Sequence, residues 1–516
     1  MSIPKRIRPH GVVRGANLSR SSILFGGPFG RIFRALPPAD FGVDDAHSLA
    51  ALKVLAGKMT TIADPADPKD GPDNEESGIP SAYTYFGQFI DHDLTFDPAS
   101  SLQKQNDPDA LVDYRTPRFD LDNVYGRGPD DQPYLYQDGR SFLLGKQLTG
   151  AASNPKANDL PRSQVTVDPS KGIDKRAIIG DPRNDENVII SQLQGLWHRF
   201  HNKLAADNPD WGFTRVQTEV RFHYQWVVLN DFLQTIVSKD VIDQVLPHIG
   251  KKSNIVAHPP QINFFHFRNE TFMPLEFSAA AYRFGHSMVR PGYRLSETIG
   301  PLSIFAPDPL KALTGFREFP STWAIDWNLF IDLQPRDPAD TTRTQLAYKI
   351  DTSLVNPLGN LPHSVAFDPS VLAQRNLERG WRMRLPNGQD VARAMGLKPL
   401  ADDHIVIGKF TGDKADIIGT IDSIDPAFKN NCPLWTYVLA ETVETDVSIK
   451  TTKGDKKNKS RKLGPVGGRI VAETFAGLLL GDSSSYLALD PLWTPTKLAV
   501  NGSFGLRELI AAALQG

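Results

Sequence analysis

The chain has 516 residues, 57 Lys and Arg against 59 Asp and Glu, a formal net charge of −2 and one cysteine. Nothing in that charge points to nucleic acid or an anionic membrane, and the longest apolar runs, such as the one within residues 225–232, are too short to span a bilayer. The lone Cys432 excludes an internal disulfide framework and any multi-cysteine zinc or iron–sulfur site, and it fits a reducing compartment or export by another route.

Residues 1–38 lack the apolar core of a classical secretory signal, which predicts a cytoplasmic protein or one exported without such a signal. Residues 1–50 read as an arm. FGGPFGRIFRALPPADFG crowds turn signals together, and Phe25, Phe29 and Phe33 would drape it over a core. A short helix is predicted over 47–60. Residues 64–76, DPADPKDGPDNEE, are acidic and Pro-rich, a loop that cannot bury itself.

Residues 83–97, YTYFGQFIDHDLTFD, place Gln88, Asp91, His92 and Asp93 inside an aromatic segment. On a helix Gln88, Asp91 and His92 share one face, and Asp93 turns about 100° further round. A His beside carboxylates among buried rings needs a partner for every polar group, whether as a satisfied core residue or as part of a site. Residues 98–113 are polar loop. TPRFDLDNVY, residues 116–125, then sets Asp120 and Asp122 two apart in a non-helical stretch. Either it is a solvated acidic turn, or its alternating oxygens bind a hard cation such as Ca2+.

GDPRNDE, residues 180–186, puts Arg183 and Glu186 three apart at a helix start, with Asn184 or Asp185 as the cap. Residues 187–206 carry Ile189, Leu193, Leu196, Trp197, Phe200 and Leu204 on the helical period. His198 and His201 lie on that helix without an acidic partner at metal-binding spacing, so a zinc site there is set aside. A long central helix is expected over 214–237. A third follows over 274–289, where Arg283 and His286 share a face. Asn376 and Arg379 fall in a helical piece that stops at residues 386–388, with a new helix from Gln389. Residues 450–462 hold seven basic residues and one acidic one and read as a solvated, mobile loop. Pro465–Leu480 and residues 504–514 read as closing helices. Strand alternation is scarce, and there is no internal repeat.

Two histidines on separate apolar helices, one beside an Arg, suit a haem held between them. QFIDHDL (88–94), GDPRNDE (180–186), HNKLA (201–205), YRFGH (282–286) and Asn376–Arg379 together resemble the animal, or peroxidase–cyclooxygenase, superfamily of haem peroxidases, in order and spacing. FGRIFRALPP in the arm and LGPVGGRIVAETFAGLL near the end look like its bacterial members.

The resemblance implies a mainly α-helical fold with few short strands, in which residues 1–50 form an arm and 51–516 a single catalytic domain with haem buried between central helices. It implies reduction of hydrogen peroxide through a ferryl haem that then oxidises phenolics, iodide, bromide or thiocyanate. His92 resembles the distal base, Arg183 its charge-stabilising partner and Gln88 the distal amide. His286 resembles the proximal iron ligand, Asn376 the acceptor for its other N–H, and Arg283 the partner of a haem propionate. Asp91 and Glu186 match carboxylates that become ester-linked to haem. Where the family's myeloperoxidase member has a Met after this Glu, this chain has Asn187, so a sulfonium link is excluded. Asp93, Thr116, Arg118 through its carbonyl, Asp120 and Asp122 match the family's calcium site.

Two other readings use the same fold: a fatty-acid dioxygenase, and a non-catalytic haem- or calcium-binding structural protein. The cyclooxygenase pattern has a Tyr three residues before the proximal His, where this chain has Arg283, with Tyr282 one further back. The structural reading would favour loss of His92 or Arg183, and both are present.

Overall fold

Ring packing sets the centre of the molecule. Phe86 and Phe89, three apart on helix Ala82–Leu94, both stack on Trp197, at 6.4 and 5.4 Å, and both meet the edge of Tyr224 at 6.2 Å. Those contacts bind Ala82–Leu94 to helices Val188–Asp207 and Phe213–Val227, which supply Trp197 and Tyr224. The computed structural model describes residues 29–60, 64, 74–95, 115–164, 175–251, 253–267, 271–335, 343–363, 365–366 and 368–516. The fold is mainly helical. Among the described residues the strands form five two-stranded sheets, and one continuous buried cluster runs from Phe29 to Ala513. No helix among the described residues is long and apolar enough to cross a membrane.

Helix Val188–Asp207 starts where Asn187 accepts from the backbone N–H groups of Ile189 and Ile190, at 3.1 and 2.9 Å, so the cap is Asn187 rather than Asn184 or Asp185. Those two lie instead in a 3-10 turn, Pro182–Asp185, capped by Asp181. The helix expected over 214–237 is interrupted by a π-turn, Val228–Phe232, before Leu233–Ile236. Asp231 in that turn accepts from the Tyr83 hydroxyl at 2.9 Å and from the Leu506 N–H at 2.6 Å, which docks the closing helix Leu506–Ala513.

The segment expected as one helix over 274–289 is two pieces, Leu275–Ser278 and a 3-10 turn Ala281–His286. Tertiary bonds account for the break. The Tyr282 hydroxyl donates to the Gly87 carbonyl at 3.2 Å, and Trp435 Nε1 donates to the Arg283 carbonyl at 3.3 Å.

The arm's Phe29 and Phe33 are buried, while Phe25 lies outside the described residues. Phe29–Gly30 pairs with Met273–Pro274, and the Ile32 and Phe33 N–H groups each donate to the Glu276 carboxylate at 3.0 Å. The loop 98–113 also lies outside the described residues. The acidic stretch 64–76 does bury itself at both ends: Lys409 holds Asp64 at 2.6 Å, and Glu76 takes Arg290 at 2.8 Å and Arg343 at 2.7 Å. Of residues 450–462, expected as a loop, only 450–455 form an exposed turn. Lys456–Lys462 is a strand paired antiparallel with Val443–Ile449, and Lys459 is matched across it by Glu444 and Asp446 at 3.2 and 2.8 Å. TPRFDLDNVY likewise ends in a helical turn, Asp122–Tyr125.

Candidate active site and cation site

His92 lies near the end of Ala82–Leu94 and is 5% exposed. Its Nδ1 meets Asn184 Oδ1 at 2.7 Å, and its Nε2 lies 3.6 Å from Glu186 Oε1. Gln88, one turn earlier, donates from Nε2 to that same Glu186 oxygen and accepts from Asn187 Nδ2 at 3.3 Å. Arg183 donates from Nη2 to Asp181 Oδ2 at 2.8 Å and to the His92 carbonyl at 3.0 Å. Gln88, His92, Arg183 and Glu186, separated by up to 98 positions, are therefore brought together. Burial pushes the Glu186 carboxyl above its ordinary value, with His92 and Arg183 pulling the other way.

His286 closes the 3-10 turn Ala281–His286. Burial, with the Arg283 charge adding to it, pushes its imidazole down to about 3, so the ring is neutral and able to ligate a metal. Asn376 is its partner, but with the polarity opposite to that expected. Asn376 Nδ2 donates to His286 Nδ1 at 2.8 Å, because Arg283 Nη1 occupies Asn376 Oδ1 at 3.2 Å. Arg283 also donates to the Ser278 carbonyl at 3.0 Å. Burial lowers this guanidinium, with Asp91 acting against it, and no carboxylate hydrogen-bonds to it among the described residues. Asp91 accepts from the Thr95 hydroxyl at 3.2 Å.

Gln88, Asp91, Arg183, Glu186, Arg283 and His286 each keep open side-chain surface, 36% for Glu186, although burial dominates the titration of Glu186, Arg283 and His286. A Cβ added to Gly285, beside His286, would meet nothing within 4 Å. A neutral imidazole together with a buried guanidinium lacking a carboxylate fits an iron porphyrin bearing propionates.

Asp93, Asp120 and Asp122 form a second cluster, whose ligand oxygens lie within 4.8 Å of one another. Both Asp93 oxygens and Asp122 Oδ1 are buried without a hydrogen-bond partner. Burial first, then the neighbouring carboxylates, raises Asp93 well above the ordinary range; Asp122, with Arg115 acting against the rise, is pushed up to about 7. Such a set needs a cation or protons, and all-oxygen donors suit a hard cation. Thr116 Oγ1 donates to Asp120 Oδ2 at 2.6 Å, which puts it at the cluster. Arg118 belongs to the same turn, its N–H donating to the Thr116 carbonyl at 2.8 Å. Its side chain reaches Asp482 at 3.9 Å, a buried carboxylate whose charge acts on Asp120.

Sequence does not single out Asn184, Gln194, Asp181 or Asp482 for the site. Asp181 and Asn184 stand inside GDPRNDE and are legible as part of that motif; Gln194 and Asp482 are marked only by contacts made on folding. His198 pairs with Gln194, and His201 sits between the Tyr125 hydroxyl and the Arg140 carbonyl, so neither belongs to the acidic cluster.

A profile of the family described as animal haem peroxidase matches residues 101–400, which is 300 of the 516 residues. The chain belongs to the animal haem peroxidase family. Among its relatives, the mouse (Mus musculus) peroxidasin homolog is 26% identical over 306 residues, covering 55% of this chain and 19% of that protein. The chain spans less than half the length of the first curated relatives it matches. Two solved structures share the fold. Peroxidase A from Dictyostelium discoideum superimposes with a TM-score of 0.55 at 18% identity, over 95% of this chain and 93% of that one. The fatty acid alpha-dioxygenase of Oryza sativa gives 0.52 at 15%, over 95% and 78%.

Proposed function

We propose that this member of the family is a haem peroxidase that reduces hydrogen peroxide and oxidises small donors: phenolics, iodide, bromide or thiocyanate. The observation that carries the reading is the pair of histidines, His92 and His286, each held at Nδ1 by an asparagine amide, with Asp91 next to His92 acting on the Arg283 charge beside His286. When bound, haem supplies the iron that takes peroxide and stores its oxidising equivalents. His286 would ligate that iron, Arg283 would pair with a propionate, and Asp91 and Glu186 would reach the haem edge, where ester links could form. Arg283 pairing with a propionate would free Asn376 Oδ1, now held by Arg283, to accept from His286.

His92 Nε2 would take a proton from peroxide and return it to the oxygen that leaves. Arg183 stabilises the negative charge that grows on the departing oxygen, at low dielectric, where a fixed guanidinium is most effective. Gln88 orients water or a halide next to His92. Asp93, Thr116, the Arg118 carbonyl, Asp120 and Asp122 would hold Ca2+, which fixes the helix bearing His92 through the adjacent residue. Residues 1–50 serve as the arm and 51–516 as the catalytic unit. The arm and the Pro465–Leu480 stretch support placing the chain with the bacterial members.

Haem-supplemented protein tests the reading through its absorbance spectrum before and after one equivalent of hydrogen peroxide. The expected outcome is a prompt band shift that reverses when a phenol or iodide is added. No haem uptake overturns the reading. Stable haem with no peroxide response, but oxygen uptake with a fatty acid, moves the function to the dioxygenase class.

A further inference from the structure

Beyond His92 a line of polar side chains runs into the core. Asn184 Oδ1 meets His92 Nδ1 at 2.7 Å, Asn184 Nδ2 donates to Gln194 Oε1 at 2.8 Å, and Gln194 Nε2 meets His198 Nε2 at 2.9 Å. Asn184 and Gln194 are fully buried, and His198 is 2% exposed. Gln194 and His198 stand four apart on helix Val188–Asp207, so they share a face, and the His198 ring is clamped flat against Phe142 at 4.4 Å and 10°. The line ends there: His198 Nδ1 is buried with no hydrogen-bond partner.

We propose that Asn184, Gln194 and His198 are positioning residues that hold His92 in the tautomer with its proton on Nδ1 and a lone pair on Nε2. The directions of the three bonds make the case. An amide presents an acceptor at one end and donors at the other, so fixing one amide in a buried chain fixes the next. Gln194 Nε2 donates to His198 Nε2, so the His198 proton sits on the buried Nδ1 where the line ends, and Gln194 Oε1 is left to accept from Asn184 Nδ2. That in turn leaves Asn184 Oδ1, a pure acceptor, facing His92 Nδ1. A neutral imidazole that donates at Nδ1 keeps Nε2 free to accept a proton, which is what a distal base needs. Burial keeps His198 neutral, as an acceptor at Nε2 must be. The inference rests on the peroxidase reading for its consequence, but the tautomer itself is independent of it.

The test labels histidine with 15N and reads ring-nitrogen shifts of His92, assigned through His92→Gln, in the diamagnetic ferrous carbon monoxide form of the wild type, Asn184→Asp and Asn184→Leu. Wild type and Asn184→Asp, which retains an acceptor, should show His92 protonated at Nδ1. Asn184→Leu should show a substantial Nε2-protonated fraction. The rate of the peroxide-induced band shift should fall on the order of a hundredfold in Asn184→Leu and recover largely in Asn184→Asp, at equal haem content. The proposal is overturned by a wild-type His92 protonated on Nε2, by an unchanged tautomer in Asn184→Leu, or by equal rate losses in both variants, which would mark a merely structural residue. If the wild type binds no haem or ignores peroxide, the peroxidase reading fails, and the shifts of the haem-free protein still decide the tautomer.

Discussion

Asp181 holds Arg183 from two positions away: the guanidinium donates through Nη2 at 2.8 Å and through Nε at 3.2 and 3.3 Å to the two carboxylate oxygens. Arg115 grips the same carboxylate at 2.5 Å and also reaches Asp122 of the cation cluster at 3.3 Å. Burial would raise the Asp181 carboxyl, but Arg183 and Arg115 outweigh it and hold it well below the ordinary range. The pair therefore contributes stability above the ordinary carboxylate pKa near 4, and that stability is lost as the pH falls towards the folded value. Asp181→Asn leaves the buried Arg115 and the half-buried Arg183 under-compensated. It should cost about 3 kcal/mol in urea unfolding at pH 7, flatten the acid limb of the stability profile, and slow the peroxide reaction by loosening Arg183. Unchanged stability together with unchanged peroxide rates would remove Asp181 from this role.

The same link predicts how the protein responds to chelation. On the proposed Ca2+ site, chelation should leave Asp93, Asp120 and Asp122 to take up protons or repel one another, so EDTA should lower the melting temperature and calcium should restore it. Saturating calcium a thousandfold above its dissociation constant stabilises by about 4 kcal/mol. Asp93→Asn combined with Asp120→Asn should melt at one temperature with or without EDTA. A melting temperature that ignores EDTA in the wild type as well would argue against a cation at this cluster.

Asp91 and Glu186 give a chemical readout. After peroxide treatment, haem from the wild type should resist extraction into acidified organic solvent, while Asp91→Val with Glu186→Gln should release it. The burial-raised Glu186 carboxyl and its hydrogen bond from Gln88 mark it as the more constrained of the two. Glu186→Gln alone should accordingly leave a single link through Asp91. Free extraction from peroxide-treated wild type would falsify the ester proposal.

Local features are the ones legible in the amino-acid sequence. Pro465–Leu480 forms at its predicted bounds, because apolar spacing and a Pro at the start mark both the face and the cap. Gln88, Asp91, His92 and Asp93 stand out for a related reason: four polar groups crowded into one aromatic helix must each find a partner, and a functional site supplies partners. The role of Asn184 is not legible, although it stands inside GDPRNDE, since the bond that gives it its place joins residues 92 apart, and nothing in the sequence marks Gln194. The proximal segment misleads because its helical spacing is genuine, but the Tyr282 and Trp435 bonds divert its backbone. The basic hairpin hides its alternation behind charge, with Lys459 answered by acids on the other strand.

Acid should destabilise this protein through buried histidines that the peroxide chemistry does not use directly, His198, His201 and His223 foremost among them. Burial lowers His198 to about 3, and His201 and His223 to about 4, from an ordinary value of 6.5. Each stays neutral in the folded chain while the unfolded chain protonates it, so the unfolded state binds more protons below pH 6.5 and stability falls with pH until the folded values are reached. Above about pH 6.5 the contribution is constant. Between about pH 6.5 and 5 each ring costs on the order of 2 kcal/mol, at about 1.4 kcal/mol per unit, and the three together on the order of 6. His223 packs its ring against Trp493 at 4.9 Å and Phe504 at 5.1 Å, so Phe can occupy the site, losing only the bond to the Glu219 carbonyl at 2.8 Å. His223→Phe should therefore be somewhat less stable than wild type at about pH 7.5 and should close that gap by about pH 5, with about one proton fewer taken up on unfolding. Urea midpoints at half-unit pH intervals measure this. Parallel profiles for the two proteins would show that His223 titrates alike in the folded and unfolded chains, against the burial-lowered value.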